Sequence, residues 1–325
     1  MPNTQKNSKT LNSIRLTRVN MNERQKGIII KGLGGLYEIK TDDGNTINCK
    51  AKGAFRHEKI TPYAGDNVVV LQSDKGAVIE EITDRKNHLI RPPVANLDIL
   101  FVVIAATKPS PMLSITDKLI SIAEYNKIEP VIIISKSDLD GNEAERIADI
   151  YKKSGFSVFV SSIDSNKDEL LSFVYKYANG KISAFAGASG VGKSTVMNAL
   201  FPKLALETGD ISHKTERGKH TTRHVELFGL DYLTDNQSMQ GYIADTPGFS
   251  LIDFTRFDFY KKDDLVYTFR EFDDYIGCCK YTKCSHTTED GCKIIEAVKN
   301  GDIPKERHDS YIEIFNTLKN KHDWD

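Results

Sequence analysis

Short runs of apolar and β-branched residues, separated by glycine or polar turn residues, recur along the chain between residues 27 and 91. Such runs at short spacing are typical of strands in a small β-barrel or sandwich. The five runs cover residues 27–30, 36–39, 46–49, 67–70 and 77–79. We therefore predict a β-barrel of the OB type over residues 25–91, although any small barrel would show the same pattern.

A different pattern begins after Arg91-Pro92-Pro93, where apolar runs alternate with segments of helical periodicity. This alternation predicts a mainly parallel sheet that is covered by helices on both faces, with ligand loops at the carboxyl ends of its strands. The predicted strands are 98–106, 130–135, 157–160, 182–186, 225–228 and one that begins at residue 242. The predicted helices are 114–126, 142–154, 168–178 and 195–201. We assign residues 92–253 to this α/β domain.

The two ends of the chain differ from this middle part. Residues 1–24 place basic side chains among Asn, Ser and Thr, with almost nothing to bury. They predict a disordered basic tail, which either has no function or contacts the phosphates of a nucleic acid. Residues 254–325 combine short helical patterns at 269–272, 294–298 and 311–318 with a cluster of cysteines, and predict a helical domain stapled by a metal.

Composition limits the class of protein. A chain of 325 residues can form two or three domains, each with its own core. A net charge of −1, with 27% charged residues, means that a basic surface would have to come from local clustering. The longest apolar run, 99–106, is too short to cross a bilayer, and the first ten residues lack the apolar core of a signal peptide. We expect a cytoplasmic protein.

A phosphate-binding loop of the form G-x-x-x-x-G-K-[ST] lies between a predicted strand and a predicted helix. It consists of Gly187, Ala188, Ser189, Gly190, Val191, Gly192, Lys193 and Ser194, and Thr195 follows it. Its glycines let backbone N–H groups turn towards a phosphate, while the helix N-terminus and Lys193 add positive charge. Ser194 supplies a hydroxyl for Mg²⁺. The motif predicts binding of a nucleoside triphosphate with Mg²⁺.

Two further strand ends indicate that the base is guanine. The predicted strand 130–135 leads into Ser135-Lys136-Ser137-Asp138, which is close to the N-K-x-D element of GTPases. The Asp138 carboxylate can accept from guanine N1–H and the 2-amino group, donors that adenine does not present together, while the Lys136 stem can lie over the ring. The Ser161-Ser162 turn, one βα unit later, takes the place of the second guanine loop. Because Ser135 replaces the usual Asn, we expect a reduced guanine affinity.

A polar segment without an apolar face follows the phosphate loop and is interpreted as a mobile switch. Its paired threonines, Thr221 and Thr222, suit contact with Mg²⁺ when a γ-phosphate is present, and Thr222 is the preferred ligand. The strand that begins at residue 242 ends in D-x-x-G, so Asp245 is expected to hold Mg²⁺ and the Gly248 N–H to meet the γ-phosphate. Phe249 follows, and it cannot orient water as the Gln of Ras-like proteins does.

Four of the five cysteines lie within fifteen residues. Their spacing, Cys279-x4-Cys284-x-His286-x5-Cys292, offers three thiolates and one imidazole, which make a closed tetrahedral set. A closed set leaves no open position for water, so we predict one structural Zn²⁺ per chain. Cys278, next to Cys279, is the competing ligand.

The motifs stand in an unusual order, with the guanine loops before the phosphate loop, the switch and D-x-x-G. A nucleotide pocket depends on spatial position and not on chain order, so this order indicates a circularly permuted GTPase. Together with the barrel, the R-G-K-H-T-T switch, D-T-P-G-F and the Cys/His tail, it resembles the ribosome small-subunit-dependent GTPase A family. The resemblance runs from about residue 24 to the C-terminus, and Ser135, Cys278 and the long N-terminal tail depart from it.

The resemblance implies a barrel, a permuted GTPase domain and a zinc domain in a protein that acts late in 30S maturation. It implies GTP hydrolysis that the 30S subunit stimulates, contact with 16S rRNA, and release in the GDP form. It also implies that His220 helps to arrange the attacking water, although an exposed loop histidine is an ordinary alternative. We expect a monomer. An ATP-using P-loop kinase or ATPase, and an RNA-binding protein that uses GTP only for stability, remain as alternatives.

Overall fold

The computed structural model describes residues 23–320 except 59, 75, 163, 205–224 and 246–258. The strands of the described part are β1 (Glu23–Leu33), β2 (Leu36–Thr41), β3 (Thr46–Ala51), β4 (Asn67–Ser73), β5 (Gly76–Ile82), β6 (His88–Ile90), β7 (Pro93–Ala95), β8 (Ile99–Ala105), β9 (Glu129–Ser135), β10 (Ser157–Val160), β11 (Lys181–Ala186), β12 (Glu226–Gly229) and β13 (Gly241–Asp245). Its α-helices are α1 (Ala54–His57), α2 (Leu113–Tyr125), α3 (Gly141–Lys153), α4 (Lys167–Ala178), α5 (Lys193–Leu200), α6 (Leu230–Thr234), α7 (Lys293–Asn300) and α8 (Lys305–Lys319).

The first five strands form the closed barrel that the sequence predicts, and we call residues 23–82 the barrel. The hydrogen-bonded order is β1-β2-β3-β5-β4, and β1 also pairs with β4, which closes the sheet on itself. The parallel pairing of β3 with β5 belongs to the OB arrangement. Alternate residues point inwards, so Ile29, Ile39, Val70 and Ile79 are completely buried. The barrel is thus built around its own apolar core.

A small hairpin lies where the alternating strands were expected to stop. Strands β6 and β7 pair antiparallel on either side of Arg91 and Pro92. The buried amide of Asn87 joins its two ends, donating to the Leu97 carbonyl and accepting from the Leu97 N–H. The predicted boundary between the first two domains, at residue 91, therefore falls within this hairpin, and the domain limits stay a prediction.

The predicted α/β sheet is present, with the order β10-β9-β8-β11-β13-β12. Its strands are parallel except β12, which runs antiparallel to β13. Every residue of β8 is buried, because helices cover both faces of the sheet. A short helix, α6, connects β12 to β13, and the sequence analysis predicted no helix there. We call residues 99–245 the α/β unit.

The barrel and the α/β unit share one continuous sheet. Strand β1 pairs antiparallel with β12, with Lys31 opposite Glu226. The first strand of the barrel therefore lies beside the strand that follows residues 205–224. Since β12 also pairs with β13, the barrel is only two strands away from Asp245 at the end of β13.

The C-terminal unit, residues 259–320, consists of two 3-10 helices, Lys262–Thr268 and Arg270–Tyr275, followed by α7 and α8. The helical turn predicted at residues 269–272 is thus of the tighter 3-10 type. Phe269, Phe272 and Tyr311 stack or meet edge to face inside this unit, with ring centroids 5.2–5.4 Å apart. Helix α8 packs on α2, so the unit lies against the α/β unit. Among the described residues, none of the helices has both the length and the apolar character needed to span a bilayer.

Candidate nucleotide and metal sites

The phosphate loop connects β11 to α5, as its motif requires. Gly187 adopts a φ of 154°, and a Cβ atom there would lie 2.4 Å from the Val103 carbonyl oxygen, so only glycine fits. Gly192 precedes the first residue of α5 with a left-handed φ of 89°. These two glycines let the backbone curl back over the N-terminus of α5. The loop thereby presents N–H groups and a positive helix end to an anion.

Lys193 and Asp245 form the charged floor of this site. Burial lowers the pKa of Lys193, and the negative charge of Asp245 opposes that shift. Burial raises the pKa of Asp245, Glu226 raises it further, and Lys193 lowers it. A half-buried ammonium at the start of α5 and a half-buried carboxylate at the end of β13 are therefore close enough to interact. Such a pair suits a bound phosphate on the lysine side and a divalent cation on the aspartate side.

The predicted guanine loop is attached directly to the phosphate loop. Ser135 Oγ donates to the Val191 carbonyl at 2.5 Å, and Lys136 Nζ donates to the Gly190 carbonyl at 2.7 Å. Lys136 has a left-handed φ of 59°, which turns its stem across the loop, and its ammonium also bonds the Lys108 carbonyl. The Ser135 hydroxyl thus braces the guanine loop against the phosphate loop, while the expected reduction in guanine affinity stays a prediction. Asp138 lies on the following turn with its carboxylate exposed.

The second predicted guanine turn lies beside the first one. The Ser161 N–H donates to the Ile134 carbonyl at 2.7 Å, and the Ser137 N–H donates to the Ser161 carbonyl at 3.3 Å. Asn166 holds this turn from below, because its amide accepts from the Ser162 N–H and donates to the Val160 carbonyl, both at 2.9 Å. Asn166 and the Lys108 carbonyl did not follow from the sequence. No local motif marks them, since they act only through the folded loops.

The remaining predicted residues of the nucleotide site divide into two groups. Ser194 lies in the first turn of α5, half-buried, with Thr195 exposed beside it. His220, Thr221, Thr222 and Gly248 lie outside the described residues. The chain therefore brings together the phosphate loop, the two guanine turns and Asp245, while the roles of the switch residues stay predictions.

A second site is formed by the four predicted metal ligands of the C-terminal unit. The ligand atoms of Cys279, Cys284, His286 and Cys292 all lie within 4.8 Å of one another. His286 Nδ1 is 3.5 Å from the sulfurs of both Cys279 and Cys292, and these two sulfurs are 3.9 Å apart. A tetrahedral Zn²⁺ with ordinary bond lengths requires edges of about 3.8 Å between sulfurs and about 3.6 Å between sulfur and nitrogen. The group can therefore hold a metal ion, and these three distances are close to the edges that zinc requires.

Burial of the Cys3His group disfavours thiolates unless a cation is bound. Burial raises the pKa of Cys292, and that of Cys284 to about 12, so the sulfurs need a compensating positive charge. The Lys293 N–H, in the first turn of α7, points at Cys279 Sγ at 3.4 Å. Cys278, the competing ligand, is exposed, and its sulfur points to the carbonyls of Asp274 and Ile276 instead.

Hydrogen bonds hold the loop that carries His286. The Glu289 carboxylate accepts from the N–H groups of Ser285, Thr287 and Thr288 at 2.7–3.1 Å, and also from the Ser285 hydroxyl. Burial opposes the ionisation of Glu289, but these donors outweigh it and hold its pKa down at about 2. His308 Nε2 donates to the His286 carbonyl at 2.7 Å. The ligand loop is therefore tied both to itself and to α8.

A phosphate loop, two guanine turns and an aspartate at the end of a parallel sheet define a GTPase of the P-loop class, and their order in the chain makes it a circularly permuted one. Comparison with known protein families agrees with this assignment. The family model of the RsgA GTPase matches residues 82–255, and that of the RsgA N-terminal domain matches residues 26–79. The chain belongs to the RsgA GTPase family.

Named relatives are similar over nearly the whole chain. The small ribosomal subunit biogenesis GTPase RsgA of Ruminiclostridium cellulolyticum is 40% identical over 91% of this chain and 94% of its own. The protein of the same name from Caldanaerobacter subterraneus is 40% identical over 92% of this chain and 97% of its own. Among solved structures, YjeQ from Thermotoga maritima matches with a TM-score of 0.74 and 30% identity, over 92% of this chain and all of that one. YloQ, described as a circularly permuted GTPase, matches with a TM-score of 0.73 and 33% identity, over 91% and 96% of the two chains.

Proposed function

We propose that the protein binds GTP with Mg²⁺, hydrolyses it to GDP, and acts in the biogenesis of the small ribosomal subunit. The observation that carries the nucleotide part is the attachment of the guanine loop to the phosphate loop through Ser135 and Lys136. It ties the loop that carries Asp138 to the loop that carries Lys193, which supports one ligand that spans both loops. The ribosomal part rests on the names of the relatives, which cover nearly the same length.

Each part of the site has a role in this proposal. The loop N–H groups and Lys193 bind the phosphates, and Asp138 reads the guanine edge while Lys136 covers the ring. Ser194, Asp245 and, in the switch, Thr222 would hold Mg²⁺, which neutralises developing charge on the phosphate oxygens when it is bound. Gly248 N–H is assigned to the γ-phosphate, and His220 to the attacking water in place of the missing glutamine.

The same reasoning extends to the other units. We assign the Cys3His group to one structural Zn²⁺ per chain, because all four ligand positions belong to the protein. The barrel and the C-terminal unit would contact 16S rRNA of the 30S subunit in the GTP form, and the monomeric protein would leave in the GDP form. A factor that acts on ribosomal subunits works in the cytoplasm.

Turnover of GTP with and without purified 30S subunits tests the proposal. We expect the isolated protein to turn over at about 10⁻⁴ to 10⁻³ per second, the unassisted rate of a Ras-like site, with a large acceleration by 30S. Fast turnover by the isolated protein, or no effect of 30S, would contradict it. If the Lys193→Ala variant is released from the subunit as the parent protein is, the alternative of an RNA-binding protein that uses GTP only for stability would be favoured.

Base specificity is tested by Asp138→Asn, which exchanges an acceptor for an amide that can donate to a base oxygen. We expect GTP binding to weaken by at least about tenfold, because the amide keeps only one acceptor oxygen and turns an N–H donor towards the other guanine donor. Xanthosine triphosphate, which has an oxygen in place of the 2-amino group, should bind this variant better than the parent. Asp149→Asn, on the exposed face of α3, is the matched control and should change neither affinity. If ATP and GTP compete equally well for the nucleotide site of the parent protein, the alternative of an ATP-using enzyme would be favoured instead.

A further inference from the structure

Four charged residues stand in a row across the sheet that joins the barrel to the α/β unit. On β1, Lys31 lies opposite Glu38 of β2 on one side and opposite Glu226 of β12 on the other. Glu226 in turn lies opposite Asp245 of β13. Residues that are directly opposite in neighbouring strands present their side chains on the same face, about 4.5–5.5 Å apart at Cβ. A line of charges therefore runs from the barrel to the aspartate assigned to Mg²⁺.

The backbone of β1 is shaped so that Lys31 joins this row. The pairing of β1 with β2 shifts by one residue between Ile29 and Lys31, which is the mark of a β-bulge. Bulges bend a strand and redirect the side chains that follow. Beyond this bulge, Lys31 Nζ reaches Glu226 Oε2 at 2.6 Å. The two side chains are 38% and 36% exposed, so the ion pair is half-buried beside an open groove of about 720 Å³ that Glu38 and Glu226 line.

Glu226 and Asp245 are like charges at opposite positions of one strand pair, and such pairs repel each other. Lys31 is the cation bonded to Glu226, and Lys193 is the cation that lowers the pKa of Asp245. Because Lys31 belongs to the barrel, the potential at the Mg²⁺ end of the nucleotide site depends on a residue from outside the α/β unit. No motif of the nucleotide site includes it.

We propose that Lys31 is a positioning residue for the Mg²⁺ end of the nucleotide site: it neutralises and holds Glu226, and thereby sets how strongly the Asp245 carboxylate attracts the cation. The inference rests on the proposed binding of a guanine nucleotide with Mg²⁺. Removing the Lys31 charge leaves Glu226 uncompensated, which makes the site more negative. Removing the Glu226 charge leaves the positive charge of Lys31 without its carboxylate partner, which makes the site more positive. The two changes must therefore shift the Mg²⁺ requirement in opposite directions.

The test measures release of a fluorescent GDP analogue by stopped flow across a titration of free Mg²⁺, a readout that does not depend on hydrolysis. For Lys31→Gln we expect the half-saturating Mg²⁺ concentration to fall by about two- to fivefold. This is the effect of one unit charge that acts on the cation from two strands away in a partly solvated site. For Glu226→Gln it should rise by a similar factor. The double variant should return close to the parent value, and Lys31→Arg, which keeps the charge, should match the parent.

Lys26→Gln is the matched control, because Lys26 lies on the same strand but opposite Val69 of β4. It should leave the Mg²⁺ titration unchanged. If Lys31→Gln and Glu226→Gln have the same half-saturating Mg²⁺ concentration as the parent, the inference is overturned while the proposed function stays intact. A shift of both variants in the same direction, together with a lower melting temperature, would mean that the pair only stabilises the fold and would also overturn it. Failure of the parent protein to retain the analogue in a Mg²⁺-dependent way would overturn the proposed function itself, and this inference with it.

Discussion

Replacement of Arg307 by methionine is expected to loosen the attachment of the C-terminal unit to the α/β unit. Arg307, on α8, is completely buried and donates at 2.6 Å to Asp117 of α2 and at 2.6 Å to Glu271 of the second 3-10 helix. Its guanidinium also lies 4.5 Å from the ring centroid of Phe269. Methionine preserves much of the volume but removes the charge, so two buried carboxylates lose their shared partner.

The magnitude follows from the burial of all three groups. Breaking a buried ion pair by removing one partner costs about 3–5 kcal/mol of unfolding free energy, because the remaining charge stays in a medium of low polarity. For about 300 cooperatively unfolding residues, the unfolding entropy is about 0.6 kcal/mol per kelvin, so the melting temperature should fall by about 5–8 °C. The loss should be larger if the C-terminal unit unfolds separately, since fewer residues then share the same cost.

The deficit should also depend on pH. Burial raises the pKa of Asp117, and the charge of Arg307 opposes that shift. Without Arg307, the folded-state pKa of Asp117 rises further above its unfolded value. A carboxyl group with a raised folded pKa costs nothing below its unfolded pKa, and it costs stability as the pH rises towards the folded value. The difference between parent and variant should therefore be smallest near pH 4 and grow towards neutrality.

Thermal and urea unfolding, followed by circular dichroism at about pH 5 and about pH 7.5 with zinc present, measures both effects. Arg146→Met is the matched control, because Arg146 of α3 likewise pairs with two carboxylates, Glu143 of its own helix and Glu306 of α8, but is 46% exposed. Its loss should cost no more than about 0.5 kcal/mol. Equal shifts for the two variants, or a deficit of Arg307→Met that shrinks as the pH rises, would refute the reasoning.

Three other outcomes are expected. Ser135→Ala should weaken GDP binding by about fivefold, since the Val191 carbonyl loses its donor at 2.5 Å, while Ser137→Ala should not; equilibrium titration with a fluorescent nucleotide measures both. Cys292→Ser should lose the bound metal, which elemental analysis would measure, and should have a lower melting temperature. Cys278→Ser should keep one zinc per chain, because the Cys278 sulfur points to the Asp274 carbonyl. Glu289→Gln should destabilise the protein at neutral pH. Because the folded pKa of Glu289 is depressed to about 2, its contribution is present above the unfolded pKa and is lost as the pH falls from about 4 towards 2, so chemical unfolding of variant and parent should converge there.

The sequence was most informative where chemistry is local. Strand and helix periodicity predicted the five barrel strands and the alternating α/β elements, because each pattern reflects which face of an element is buried. The phosphate loop and the Cys3His group could be found from the spacing of their residues. The backbone conformations of the loop require glycine at fixed positions, and tetrahedral ligation requires cysteine and histidine at short intervals in the chain. Helix α6 was missed, because a single helical turn such as Leu230–Thr234 leaves too short a periodic pattern.

Contacts between distant segments could not be predicted in this way. The brace from Ser135 to Val191 depends on the approach of two loops, and the residue type alone does not indicate it. Arg307 is an arginine within a largely polar helix, where an exposed side chain is the usual expectation, and only the packing of α8 on α2 buries it. The pairing of β1 with β12 joins strands almost two hundred residues apart, and neither strand carries a signal that specifies its partner.

These distant contacts also differ in how far each joint between units depends on a single ion pair. The C-terminal unit is attached to α2 through the buried Arg307 and Asp117, and removing one partner of that pair costs about 3–5 kcal/mol. The barrel is attached through the pairing of β1 with β12, and the half-exposed pair of Lys31 and Glu226 adds about 1 kcal/mol or less. Loss of the Lys31 charge should therefore leave the barrel joint largely intact, so that its effect on the Mg²⁺ end of the site can be measured apart from stability. Loss of the Arg307 charge should instead be seen first as a loss of stability.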